Sequence, residues 1–233
     1  MSEPQPAPPS LFVISLPRSL SGVTYQAARA SLGLAEPVWT TDGEVLNNDR
    51  FVMGGPGNDV GKKFTRPAWN AWMTRGLHAF LDQVVKPTGF AYKDVVQPFM
   101  VAGWLTAEPR GIAVLRIRRP LVDVAFSMLA RGWLYPAHAQ GGRVPGEVDV
   151  ALLRGLMEAE AALDAVPAVE VEFDALVRDE TALADALREL APGRTPGPVR
   201  YVGEGFRAVA AQQLGRRGDP RYAALSRKLE TLR

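Results

Sequence analysis

The segment LFVISLPRSLSG at residues 11–22 restricts the fold of this chain more than any other stretch. LFVISL is too short for a helix and carries β-branched and aromatic side chains, so it reads as a buried strand that Pro17 brings to an end. From Gly22 to Leu32 small and apolar residues recur at helical spacing. The intervening PRSLSG is then a strand-to-helix turn, and the unit is the first half of a βαβ crossover.

The same alternation continues downstream. Apolar runs at 89–96 (GFAYKDVV), 112–118 (IAVLRIR) and 169–173 (VEVEF) read as strands, and residues 66–85, 121–131, 148–165, 180–190 and 221–232 carry apolar residues at three- and four-residue intervals, as amphipathic helices do. Strands alternating with helices predict an α/β fold of three layers, a central parallel sheet of about four to five strands with helices on both faces. Residues 1–10 read as a disordered, Pro-rich leader and 11–233 as one domain, a length sufficient for a single sizeable core. The Gly-rich segments at 54–61 and 139–146 read as long surface loops, of the kind that frame a ligand cleft beside the carboxyl ends of strands.

Composition narrows the chemistry. The chain contains no Cys and two His, which removes thiolate nucleophiles and Cys-ligated zinc and leaves little for other metal chemistry, so no metal is expected. No stretch approaches the ~20 apolar residues that span a bilayer, and the first residues lack the basic start and apolar core of a secretory signal. A soluble, cytoplasmic protein without a membrane or nucleic-acid partner is expected. A formal charge of +2 suits a small polyanionic ligand better than a nucleic-acid backbone.

The turn itself is the first candidate site. Arg18, Ser19, Leu20, Ser21, Gly22 and Val23 bring backbone N–H groups to a helix N-terminus, where unpaired donors and the helix dipole favour an anionic phosphate or sulfate. Arg18 adds a permanent cation. A second candidate is IAVLRIRRPLVDVAFSML at 112–129, where an Arg at a strand end and a Ser on the next helix can converge on one phosphate. Arg118 and Ser127 are assigned there, with Arg119 as the alternative to Arg118. LGRRGD at 214–219 places Arg216, Arg217 and Gly218 in a basic turn.

These segments resemble, in order, the motifs of sulfotransferases that use 3′-phosphoadenosine-5′-phosphosulfate. SLPRSLSGVTY resembles the 5′-phosphosulfate loop, with Leu20 where a Gly is usual and Gly22 where a hydroxyl residue is usual. The segment at 112–129 resembles the 3′-phosphate motif, departing by one residue in the spacing from Arg118 to Ser127, a departure that Arg119 removes. VEFDALV at 171–177 is similar to a structural segment that packs the last core strand, and LGRRGD to the basic loop that closes over the 3′-phosphate. The resemblance implies a P-loop-like sulfotransferase fold, with the sulfate donor as co-substrate and a small hydroxyl-bearing acceptor, such as a bacterial secondary metabolite or sugar.

Sulfuryl transfer, like phosphoryl transfer, needs cations beside the transferred group and a base for the acceptor's proton. Arg18 and Lys93 are the expected cations. The family's usual His is missing from the strand at 89–96, where Asp94 stands nearby, and TDGEVLN at 41–47 resembles the Gly-Glu segment of some bacterial relatives, so Glu44 is the preferred base and Asp94 the alternative. His78 and His138 read as packing or surface residues, and Trp39, Trp69, Trp72, Phe99 and Trp133 as candidate lining for an acceptor pocket. Two rivals remain: a P-loop kinase, against which neither PRSLSG nor GNDVGKK at 57–63 satisfies G-x-x-x-x-G-K-[ST], and a nucleotide-binding scaffold without catalysis.

Overall fold

The computed structural model describes residues 8–40, 42–45, 71–95, 98–107, 110–132, 148–179, 181–192, 195–199 and 203–233. The loops expected at 54–61 and 139–146, the segment at 57–63, the helix start at 66–70, and Trp69, Trp133 and His138 lie outside these residues, as do the side chains of Trp72 and Phe99.

Strand β1 (Leu11–Ser15) leads into α1 (Ser21–Leu32); α2 (Ala71–Val84), β2 (Ala91–Asp94) and α3 (Pro98–Ala107) follow. Then come β3 (Ala113–Arg118), α4 (Leu121–Leu129), α5 (Val148–Asp164), β4 (Val169–Glu172), α6 (Phe173–Arg178), α7 (Thr181–Leu190) and α8 (Gly203–Gly215). A 3-10 turn, Arg216–Gly218, joins α8 to α9 (Pro220–Leu232). The four strands form one parallel sheet in the order β2-β1-β3-β4. Among the described residues no helix is long and apolar enough to cross a membrane.

Alternation along the strands divides the core in two. Phe12, Ile14, Tyr92 and Val114 face one layer, with side chains of α2 to α5 and α9, whereas Leu11, Val13, Ala91, Leu115, Ile117 and Val171 face α1, α6 and α7. One face also carries charge. Arg116 is 1% exposed on β3, and its guanidinium meets Glu160 at 3.0 Å, Asp164 at 2.8 Å and Glu170 at 3.0 Å.

Two expectations are corrected and two helices are added. VEVEF is not all strand: the strand stops at Glu172 and Phe173 opens α6, turning its ring fully into the core. Residues 98–107 and 203–215 are helices that the periodicity does not reveal. The end of the Pro-rich leader is docked, with the Ser10 N–H donating to the Pro87 carbonyl at 2.8 Å and the Gly89 N–H to the Pro8 carbonyl at 2.8 Å.

In this strand order the chain leaves β1 toward one edge of the sheet and leaves β3 toward the other. Register pairs Ile14 with Asp94 and Ser15 with Ile117, so the carboxyl ends of β1, β2 and β3 lie level. A crevice at such a reversal is where open α/β sheets take ligands.

Candidate functional site at the carboxyl ends of β1 and β3

The β1–α1 turn has the backbone of an anion cradle. Arg18 and Leu20 both hold left-handed φ values, 64° and 63°. Leu20 is the N-cap of α1, no side chain caps that end, and no acidic residue stands in the first turn. The Thr24 N–H closes the first helical bond, to the Leu20 carbonyl at 3.0 Å. The N–H groups of Ser21, Gly22 and Val23 precede that bond and have no carbonyl within the helix to donate to. A Cβ built on Gly22 meets nothing within 4 Å among the described residues.

Around the turn, polar side chains are buried without hydrogen-bond partners among the described residues: the hydroxyls of Ser15, Ser19 and Thr24, each 0% exposed, and the Nε of Arg119. A buried polar group left unpaired costs about 1–3 kcal/mol, so a group of them beside one turn suits an external acceptor.

The two phosphate-type segments meet here. Arg18 Nε lies 3.4 Å from the Ser127 hydroxyl on α4. Arg119, the first residue after β3, donates through Nη1 to the Arg18 carbonyl and stacks its guanidinium over the Phe173 ring, 4.2 Å from the centroid. Burial pushes the Arg119 guanidinium down to about 10, with Arg18 and Arg217 adding repulsion and Asp123 and Asp174 opposing it. It remains charged at neutral pH. Burial also lowers the Arg18 guanidinium, helped by the fields of Arg131 and Arg216. Arg131, two residues past α4, is a contributor that the sequence reading lacks, since the resembling segment ends at Leu129.

Arg118 does not join this cluster. It extends from β3 on the same side as Arg116, and Glu170, Asp164 and Glu160 hold its guanidinium at 3.1, 3.1 and 3.4 Å. Arg217 is likewise engaged, by Asp123 and Asp174, while Arg216 and Gly218 complete the 3-10 turn beside it.

The expected catalytic group assembles in part at the outer edge of β2. Residues 43–45 run beside that strand: the Lys93 N–H donates to the Gly43 carbonyl at 2.8 Å and the Val45 N–H to the Lys93 carbonyl at 3.0 Å. Gly43 is required there, because its φ is 70° and a Cβ would fall 2.3 Å from the Tyr25 ring. This pairing turns Glu44 inward onto Lys93. The Lys93 ammonium pairs with Glu44 Oε2, the Val95 N–H donates to Oε1 at 3.1 Å, and both side chains are buried. Asp94, 1% exposed, follows Lys93 on β2 and by alternation projects to the opposite face, so the two candidate bases stand on different sides of the sheet. Trp39 packs edge-on against Phe80. His78, half-buried on α2, has an Nε2 without a partner among the described residues.

No protein-family model matches the chain, and no curated protein matches it. The geometry therefore carries the functional argument. A polyanion with one phosphate at the α1 N-terminus and another beside Arg119 and Ser127 fits the donors present: uncapped N–H groups, unpaired hydroxyls and guanidinium groups.

Proposed function

We propose that the protein is a sulfotransferase with a P-loop-like fold that takes 3′-phosphoadenosine-5′-phosphosulfate as donor and a small hydroxyl compound as acceptor. The observation that carries this reading is the meeting of Arg18, Arg119 and Ser127 at the carboxyl ends of β1 and β3. Two segments about a hundred residues apart, each resembling a different phosphate motif of that family, supply one cationic, polar cluster. The parallel sheet and its reversal at β1 agree with such a fold.

The donor supplies the sulfuryl group. The chain's own part is to bind and to handle charge and a proton. Backbone N–H groups at Ser21 to Val23, with Arg18, would hold the phosphosulfate end, and Arg119 with Ser127 the 3′-phosphate. Lys93 fixes Glu44 by its ammonium while the Val95 N–H fixes the other oxygen, so the carboxylate is held in one orientation, ready to accept a proton from an acceptor hydroxyl.

One observation favours a second reading, a nucleotide-binding scaffold without transfer: Glu44 and Lys93 already satisfy one another. Glu44→Gln separates the two. In a transferase it keeps donor binding and lowers turnover by roughly 10²–10⁴-fold, measured as donor consumption across an acceptor panel. Asp94→Asn is the matched control. Turnover undiminished in Glu44→Gln but lost in Asp94→Asn moves the base to Asp94, and no consumption by the unaltered protein supports the scaffold.

A further inference from the structure

The two residues ahead of Glu44 hold left-handed backbone, Asp42 at φ 52° and Gly43 at φ 70°. Glycine takes that conformation freely, and Asp is among the residues that tolerate it. Their support comes from α1. The Gln26 amide NH2 donates to Asp42 Oδ1 at 3.2 Å, and the Gly43 N–H donates to Glu36 Oε1 at 3.2 Å. Arg29 stands behind both: its Nε and Nη2 lie 3.2 and 3.1 Å from Gln26 Oε1, and its Nε lies 3.9 Å from Glu36 Oε2. An arginine can only donate, so Arg29 takes the oxygen of the Gln26 amide and leaves the NH2 to face Asp42. Tyr25, 0% exposed, closes the remaining side: Gly43 seats against its ring, and its hydroxyl donates to the Ala91 carbonyl of β2 at 3.2 Å. Tyr25, Gln26 and Arg29 occupy about one turn of α1, the helix whose first residues form the candidate anion cradle.

We propose that Gln26, oriented by Arg29, is a positioning residue: it holds the turn at residues 42–43 on α1 and so sets the Glu44 carboxylate against Lys93. The inference rests on the role proposed above for Glu44 as base. It makes α1 serve both halves of the reaction, since the helix that would receive the donor's anion at its N-terminus also carries, one turn on, the support of the base.

The test is a polarity swap across the Gln26–Asp42 hydrogen bond, in the full chain, with Gln26→Glu, Asp42→Asn and the double variant. Gln26 is half-buried and Asp42 exposed, so the changes leave the core untouched. Gln26→Glu keeps the acceptor for Arg29 but sets a carboxylate against Asp42. It is expected to lower kcat for donor consumption about fivefold, while binding of 3′-phosphoadenosine-5′-phosphate, read by calorimetry, stays within about twofold. Asp42→Asn keeps an acceptor for the Gln26 amide and should change kcat less than about twofold. In the double variant the new amide at 42 can donate to the new carboxylate at 26, and kcat should return to within about twofold of the unaltered chain. A double variant as slow as Gln26→Glu, an unchanged kcat in Gln26→Glu, or a parallel loss of nucleotide binding would each overturn the inference. Absence of turnover by the unaltered chain would instead overturn the reading of Glu44 as base, and the inference with it. A ligand-free measurement tests the support separately: amide hydrogen exchange at Lys93 and Val45, whose N–H groups donate to the Gly43 and Lys93 carbonyls at 2.8 and 3.0 Å, should quicken in Gln26→Glu and recover in the double variant. Unchanged exchange there would show that Gln26 does not hold the segment.

Discussion

Leu20 holds a backbone conformation that suits it poorly. Its φ of 63° lies in the left-handed region, where a Cβ crowds the following carbonyl at a cost of about 1–2 kcal/mol. The turn keeps the shape that a glycine would adopt freely, even though Leu stands there. Part of the Leu20 side chain packs on the α1 face of the core, so Gly and Ala are best compared with each other rather than with Leu. Leu20→Gly is expected to be more stable than Leu20→Ala by about 1 kcal/mol in urea unfolding, the reverse of their order inside a helix. Equal stability, or Ala ahead, would mean that the turn relaxes out of the left-handed region. This strain was legible only as a departure from a motif. The residue type is visible in sequence, but the φ that makes it costly is not. Arg118 and Arg119 show the same limit: strand alternation puts Arg116 and Arg118 on one face, yet which arginine leaves the strand depends on where β3 ends.

Elements were readable where local physics fixes them. β1, β3, α1 and α4 are legible because a short apolar run and a stripe of helical spacing are both local signals. α3 was not: PFMVAGWLTA is apolar nearly all round, and Val101, Ala102, Trp104 and Leu105 are buried, so no polar stripe marks it. α8 is hidden for the opposite reason, with glycines at 203 and 205 that weaken helix propensity. The Glu44–Lys93 pair and the Arg116 network are likewise absent from any local pattern, since each joins residues from separate elements. Arg116 offers an element-scale prediction. It is 1% exposed, whereas Arg118, two residues on and on the same face, keeps a side chain 35% exposed to the same carboxylates. Arg116→Met is expected to lower stability by about 2 kcal/mol, because it removes the buried one of the two cations that hold Glu160, the least exposed of the three carboxylates, and so loosens α5 on β3. Arg118→Met should cost less than about 1 kcal/mol. Equal losses in denaturant unfolding would show that burial does not distinguish the two.

At the scale of the whole molecule, the sheet order β2-β1-β3-β4 does what no single motif can: it sets the ends of β1 and β3 side by side where the chain's direction reverses. The turn after β1 and the Arg119–Ser127 segment after β3 are thereby joined at that reversal. The central claim is that this arrangement recognises two phosphates at once. Thermal unfolding of the full chain with 3′-phosphoadenosine-5′-phosphate, against adenosine monophosphate at the same concentration, tests it most directly. At about a hundredfold excess over its Kd, the bisphosphate is expected to raise Tm by about 5–10 °C, and the monophosphate by much less. Equal shifts from the two nucleotides, or none from either, would contradict the account.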